Sequence, residues 1–159
     1  MVAAVALVGA VGGCGRPSDE SADAVVALRV VDAYAAEPVT ADVGAVYLTI
    51  GNDGDVADTL LSASTPVAAM VHLHRMTPGS GSRMQVQEAA VVPGRGQLRL
   101  QPGGLHLMLM NLSSRPTAGD TIDLTLEFRH AGAVHVRVPV VSYLDVSERA
   151  AVGTQDATQ

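Results

Sequence analysis

Two short stretches, Val71-His72-Leu73-His74-Arg75-Met76 and Leu105-His106-Leu107-Met108-Leu109-Met110, place imidazoles and thioethers on alternate positions. Met84 follows the first of them after a Gly/Ser-rich loop. Imidazole is a borderline ligand that suits copper and zinc, whereas thioether sulfur is soft and selects monovalent copper over zinc, magnesium or calcium. Thioethers carry no proton near neutral pH, so only the imidazoles would compete with protons for the metal. The chemistry these residue types offer together is Cu(I) binding.

The spacing predicts strands as the elements that position them. A strand turns successive side chains to opposite faces, so Leu105, Leu107 and Leu109 point one way while His106, Met108 and Met110 point the other. The same alternation groups His72, His74 and Met76 opposite Val71 and Leu73. Taken singly, each of these residues has an ordinary structural use: methionine fills gaps in apolar cores, and a histidine on an outer strand face is usually solvated. The chain has only five His and six Met, however, and most of both fall on alternating positions of this one segment. That coincidence favours a metal site. His130, in a turn, and His135, on an outward strand face, read as solvated, and His72 reads as flanking the site rather than belonging to it.

Composition narrows the rest. At 159 residues with 48% hydrophobic content the chain is sized for one core. Aromatics make up 3%, with one Phe and no Trp, so the core must rest on Val, Leu, Ile and Ala. A formal net charge of −6, with every basic residue an Arg, offers no basic stripe and argues against nucleic acid as a partner. No apolar run after the N-terminus is long enough to cross a bilayer.

The single cysteine, Cys14, closes the apolar run 1–13 and is followed by the polar stretch Gly15-Arg16-Pro17-Ser18-Asp19-Glu20. This predicts an export signal over residues 1–14, and Val11-Gly12-Gly13-Cys14 resembles a bacterial lipobox in which Cys14 is lipidated. No Lys or Arg precedes the apolar run, so the expectation is either a start upstream of Met1 or a weak signal. Residues 15–24 then form a flexible tether. A domain that has given up its one thiol to a lipid has no thiolate ligand; Met and His stay usable in an oxidising compartment where Cys is liable to disulfide formation. The expected location is extracytoplasmic, the periplasm or cell envelope, with a lipid anchor.

From residue 25 to 142 the chain reads as short apolar runs split by Gly, Pro, Asn and Asp. Strands are expected near Ala27–Ala33, Gly44–Ile50, Thr59–Ala63, Met70–Met76, Arg83–Glu88, Gln97–Gln101, His106–Leu112, Thr121–Arg129 and Ala133–Val140. Ile122, Leu124, Leu126 and Phe128, then Val134, Val136, Val138 and Val140, mark the last two as half-buried strands. This pattern predicts an all-β, antiparallel Greek-key sandwich. No helical period is evident. Residues 143–159 read as a loose polar tail in which Ser-Glu-Arg-Ala-Ala-Val-Gly forms a short helical turn at most.

With these residues in view, 27–141 resemble the periplasmic copper chaperones of the PCu(A)C family. The stretches LHRM, LQPGGLHLMLMNL and GDTIDLTLEF follow that family in order and spacing, as do Asp32-Ala33-Tyr34 and Ala45-Val46-Tyr47-Leu48-Thr49-Ile50. The family motif is a His, a Met after ten residues, and a His-x-Met after twenty-one more. Here twenty-one residues separate Met84 from His106, and His106-Leu107-Met108 supplies the end, but only nine separate His74 from Met84. The resemblance implies His74, Met84, His106 and Met108 as ligands, with Met76 and Met110 as further candidates. It also implies a cupredoxin-like sandwich with an exposed Cu(I) site that delivers copper toward cytochrome c oxidase. The partners it implies are the copper ion and a copper-accepting membrane protein or another copper chaperone, with the membrane held through lipidated Cys14.

Other functions fit less well. A blue-copper carrier needs a Cys ligand in the domain. Soft Met ligands do not tune zinc for hydrolysis, and neither HExxH nor GxSxG occurs, so an enzyme is not expected. A protein that sequesters copper or silver for tolerance, or an anchored adhesive sandwich that binds no metal, remain the alternatives.

Overall fold

The computed structural model of the chain describes residues 26–77 and 83–155. The expected leader with Cys14, the tether, residues 78–82 of the Gly/Ser loop and the last four residues lie outside the described residues. Ten strands follow in order: β1 (Leu28–Ala36), β2 (Val43–Asn52), β3 (Asp58–Ser64), β4 (Ala68–Thr77) and β5 (Arg83–Gln87), then β6 (Ala90–Val92), β7 (Gly96–Leu100), β8 (Leu105–Leu112), β9 (Thr121–Phe128) and β10 (Gly132–Val141). One helix, α1 (Tyr143–Gln155), closes the described chain.

The strands run in the order β5-β4-β8-β2-β1-β10-β9-β3-β6, with β7 on β2 beyond β8. The chain passes repeatedly between the β4/β8/β2/β1 layer and the β10/β9/β3/β6 layer. Leu48, Ile50, Leu107 and Leu109 from the first meet Leu60, Leu124, Leu126 and Val138 from the second in one buried cluster. Each strand thus buries alternate residues, the arrangement in which a Val/Leu-rich, aromatic-poor sequence can still exclude water.

The all-β cupredoxin-like fold is as expected, with three differences. The pairing is antiparallel except at β1 and β10, which meet in parallel at Ala35–Val140 and Ala36–Val141. These partners are brought together only by the whole intervening domain, so no local pattern announces them. Strand β6 was not expected because three residues are too short to show a period, although Ala90 and Val92 are buried around exposed Val91. The polar tail is also not loose from its start, for α1 runs to Gln155. Its first turn is a capping box: the Ser142 and Asp145 side chains each bond the other residue's backbone N–H. Val146 is buried while Tyr143 and Leu144 are exposed, so the first turns show no continuous apolar stripe.

One irregularity matters for the site. Between Val31 and Tyr34 strand β1 carries a bulge, with Asp32 at φ 54°. Short polar side chains tolerate this left-handed conformation. The extra residue reverses the parity of the strand. Val30 pairs with core-facing Ile50 before the bulge, but Tyr34 pairs with Tyr47 after it and so lands on the opposite face.

Candidate metal centre

The His/Met side chains are set by the registers of β4, β5 and β8. His74 lies directly across from His106, His72 from Met108, and Met70 from Met110. On the other edge of β4, Met76 faces Met84 and His74 faces Val86. Residues paired in this way share a face with Cα atoms about 5 Å apart. The expected alternation holds: Leu73, Leu105, Leu107 and Leu109 are buried in the core on the reverse side. Of the expected ligands, His74, His106 and Met108 are thus brought together on neighbouring strands. Met84 sits one strand further out, opposite Met76 and diagonal to His74.

His106 is held in one tautomer. Its Nδ1 lies 3.1 Å from the carbonyl oxygen of Gly104. A carbonyl only accepts, so Nδ1 carries the hydrogen and Nε2 keeps the lone pair a metal requires. The same oxygen accepts from the backbone N–H of Met76 at 3.1 Å. Gly104 is placed by the Pro102-Gly103-Gly104 turn, whose Gly103 has φ 74° and needs a residue without a Cβ. One turn therefore orients the imidazole and ties it to β4.

His74 presents the complementary observation. Both of its ring nitrogens are shielded from solvent and have no hydrogen-bond partner. A buried polar atom left unpaired is costly and rare. Burial lowers its pKa from the ordinary 6.5, and the neighbouring His106 and His72 imidazoles lower it further. His74 therefore stays neutral, the form that ligates.

The face is not as open as expected. His106, read from the strand period as lying off the core and outward, is only 5% exposed, and Met108 is half-buried. Its cover comes from other strands. Tyr34 and Tyr47 pack ring to ring at 5.3 Å, Tyr47 lies 6.3 Å from His106, and His106 lies 6.0 Å from His74. The Arg149 guanidinium of α1 stands 5.1 Å over the Tyr34 ring. Burial raises the pKa of both tyrosines; Arg149 opposes the effect at Tyr34 and Asp32 adds to it, while Tyr34 and Tyr143 add to it at Tyr47. They are neutral phenols. Tyr47 was legible as a residue opposite core-facing Val46 and Leu48, but its role as the lid over His106 was not.

Exposure rises away from His106. Met84 is 52% and Met70 45% exposed, while Met76, Met110 and His72 are half-buried. Among the described residues no three His, Cys, Asp or Glu side chains gather closely enough to hold a metal. The thioethers of Met76, Met84, Met108, Met110 and Met70 share the face of His74 and His106, a donor set that suits a soft cation. His130 and His135 are exposed at the far layer, the latter with Nδ1 3.0 Å from the Thr125 hydroxyl.

Residues 28–140 match the family described as "Putative lipoprotein LpqE-like". The chain belongs to this LpqE-like family. A relative from Leifsonia xyli subsp. xyli, "Putative lipoprotein Lxx21020", is 31% identical over 107 residues, which is 65% of this chain and 64% of that protein. The chain thus spans just under two-thirds of that relative's length. The LpqE-like domain also has the fold of solved PCuAC domains. The copper-bound PCuAC domain from PmoF2 superposes with a TM-score of 0.64 at 21% identity, covering 74% of this chain and 96% of that one. The Cu(I) form of DR1885 from Deinococcus radiodurans gives 0.60 at 27% identity, over 79% of this chain and 85% of that one. The resemblance to the PCu(A)C family read from the His/Met motif holds at the level of family and fold. Among the described residues of this LpqE-like chain no helix is long and apolar enough to cross a membrane.

Proposed function

We propose that this LpqE-like protein is an exported, lipid-anchored copper chaperone that carries Cu(I) as cargo on the β4/β8 face. The observation that carries the reading is the pair of facing imidazoles, His74 with both nitrogens unpartnered and His106 with Nε2 left free by the Gly104 hydrogen bond. His74 and His106 supply nitrogen, and Met108 and Met84 supply sulfur. Met76 faces Met84 across the strand pair and Met110 follows Met108, so both stand ready as substitutes during exchange. Support comes from the solved relatives, whose names include copper-bound and Cu(I) forms.

Transfer requires that an acceptor's ligands enter before the donor's leave. Met84, largely exposed, is the replaceable ligand on one side. On the other, Tyr47 and Met108 border a hollow of about 260 Å³ that Pro38, Val39 and Tyr143 also line. The acceptor we favour is a copper centre of cytochrome c oxidase or another chaperone serving it. Cys14, lipidated, would keep donor and acceptor at one membrane surface and raise their effective concentration. The chain supplies ligands rather than an acid, base or nucleophile, so the role is not enzymatic.

The test is a competitive Cu(I) titration under reducing conditions against a chromophoric chelator, on the chain with Cys14→Ser so that no thiol contributes. One tight equivalent that His106→Ala abolishes supports the site. Unchanged binding in that variant refutes it. Loss of oxidase copper loading in a deletion strain separates delivery from sequestration, which would give metal sensitivity alone.

A further inference from the structure

Met70, His72 and Met110 stand on this face beyond the facing imidazoles, beside Met108. Met70 and Met110 are direct cross-strand partners, and His72 and Met108 form the adjacent pair. All four lie on the side of β4 and β8 away from the core, which Val71, Leu73, Leu107 and Leu109 already fill. Core packing therefore does not ask for methionine at 70 or 110. A large thioether 45% exposed at Met70 is also a poor surface residue by water's measure. None of the residues paired on this face across β5, β4, β8 and β2 is a carboxylate.

We propose that Met70, Met110 and His72, flanked by Met108, form a second soft-metal site that takes Cu(I) or Ag(I) beside the one holding the cargo. It rests on the copper reading of the first site and goes beyond it. The His72 and His74 rings stack at 5.9 Å between centroids with 22° between planes, so the two sites adjoin. Methionine has three rotatable bonds, and Met70 and Met110 can close on an ion without backbone movement. With one imidazole instead of two, and more solvent, this outer site binds more weakly than the inner one. It is a landing place from which an ion passes inward by exchange of one ligand at a time, with no change of oxidation state.

The test is a titration of the full chain, carrying Cys14→Ser, with silver nitrate as the redox-inert probe, read by the NMR signals of methionine methyl groups. The expected result is two saturating equivalents, the first moving Met84 and Met108 and the second moving Met70 and Met110. Met70→Leu, close in volume and so harmless to the fold, should remove the second equivalent and leave the first intact. Saturation at one equivalent with Met70 and Met110 unmoved overturns the second site and leaves the chaperone reading standing. Drift of those two methyls without saturation also overturns it. No saturating equivalent at all overturns both.

Discussion

The His74 imidazole sits neutral between those of His72 and His106, and that position has a pH signature. In the unfolded chain it takes a proton near 6.5, whereas in the fold it resists until lower pH. As pH falls below about 6.5 the unfolded state binds more protons, so stability falls and continues to fall until the lowered folded pKa is passed. Above that window the group contributes nothing to the slope. His74→Gln should therefore flatten the loss of stability between pH 7.5 and 5.5 in urea unfolding of the metal-free protein; equal slopes would refute the account. His106 and Met84 should part company in a different experiment. His106→Ala leaves a hole beside Tyr47 and removes the donor to Gly104, costing about 2 kcal/mol of stability. Its loss of Cu(I) affinity should exceed the roughly hundredfold typical of losing an outer hydrogen bond to a ligand. Met84→Ala, at an exposed position, should change stability by less than about 0.5 kcal/mol while still weakening Cu(I).

Among the elements, the far layer hangs on one carboxylate. Asp58 opens β3 with only 1% exposure. Its oxygens accept from the backbone N–H of Thr59 at 2.6 Å, His130 at 3.0 Å and Ala131 at 2.9 Å, which pins the β9–β10 turn. Burial alone would raise its pKa, but the three N–H groups, with the His130 imidazole, outweigh it and hold the carboxyl below the usual range. That stability is present above the ordinary carboxylate pKa near 3.8 and is lost as pH falls through the lower folded value. Asp58→Ala strands buried donors and should cost about 3 kcal/mol or more, read as a drop in urea midpoint. A change under about 1 kcal/mol would show that water replaces the carboxylate. The site face depends on other elements: the β1 bulge sets Tyr34, and the capping box of α1 holds the helix whose Arg149 covers that ring.

For the whole molecule the proposed copper site, the proposed anchor and the fold should be separable. On the proposed reading Cu(I) binds the folded state and not the unfolded one, so a hundredfold excess over the dissociation constant should add about 2.7 kcal/mol to unfolding. Cys14→Ser should move the protein from the membrane to the soluble fraction of the cell envelope while leaving its Cu(I) affinity unchanged. Retention at the membrane would refute the lipid anchor, and a changed affinity would mean that Cys14 touches the site.

The alternation of Leu with His and Met in 105–110 was enough to predict a strand with His and Met on one face, because period-two geometry is local. The nine expected strands were legible for the same reason. Which His faces which was not: the His74–His106 pair is a register between β4 and β8, strands far apart in the chain, tied where the Met76 N–H bonds the Gly104 carbonyl. Nor was the burial of His106, since its cover is Tyr47 from β2 and, through a one-residue bulge, Tyr34 from β1. Chemistry of the ligands is written in residue type and spacing, whereas their access to solvent and protons is decided by what the fold lays over them.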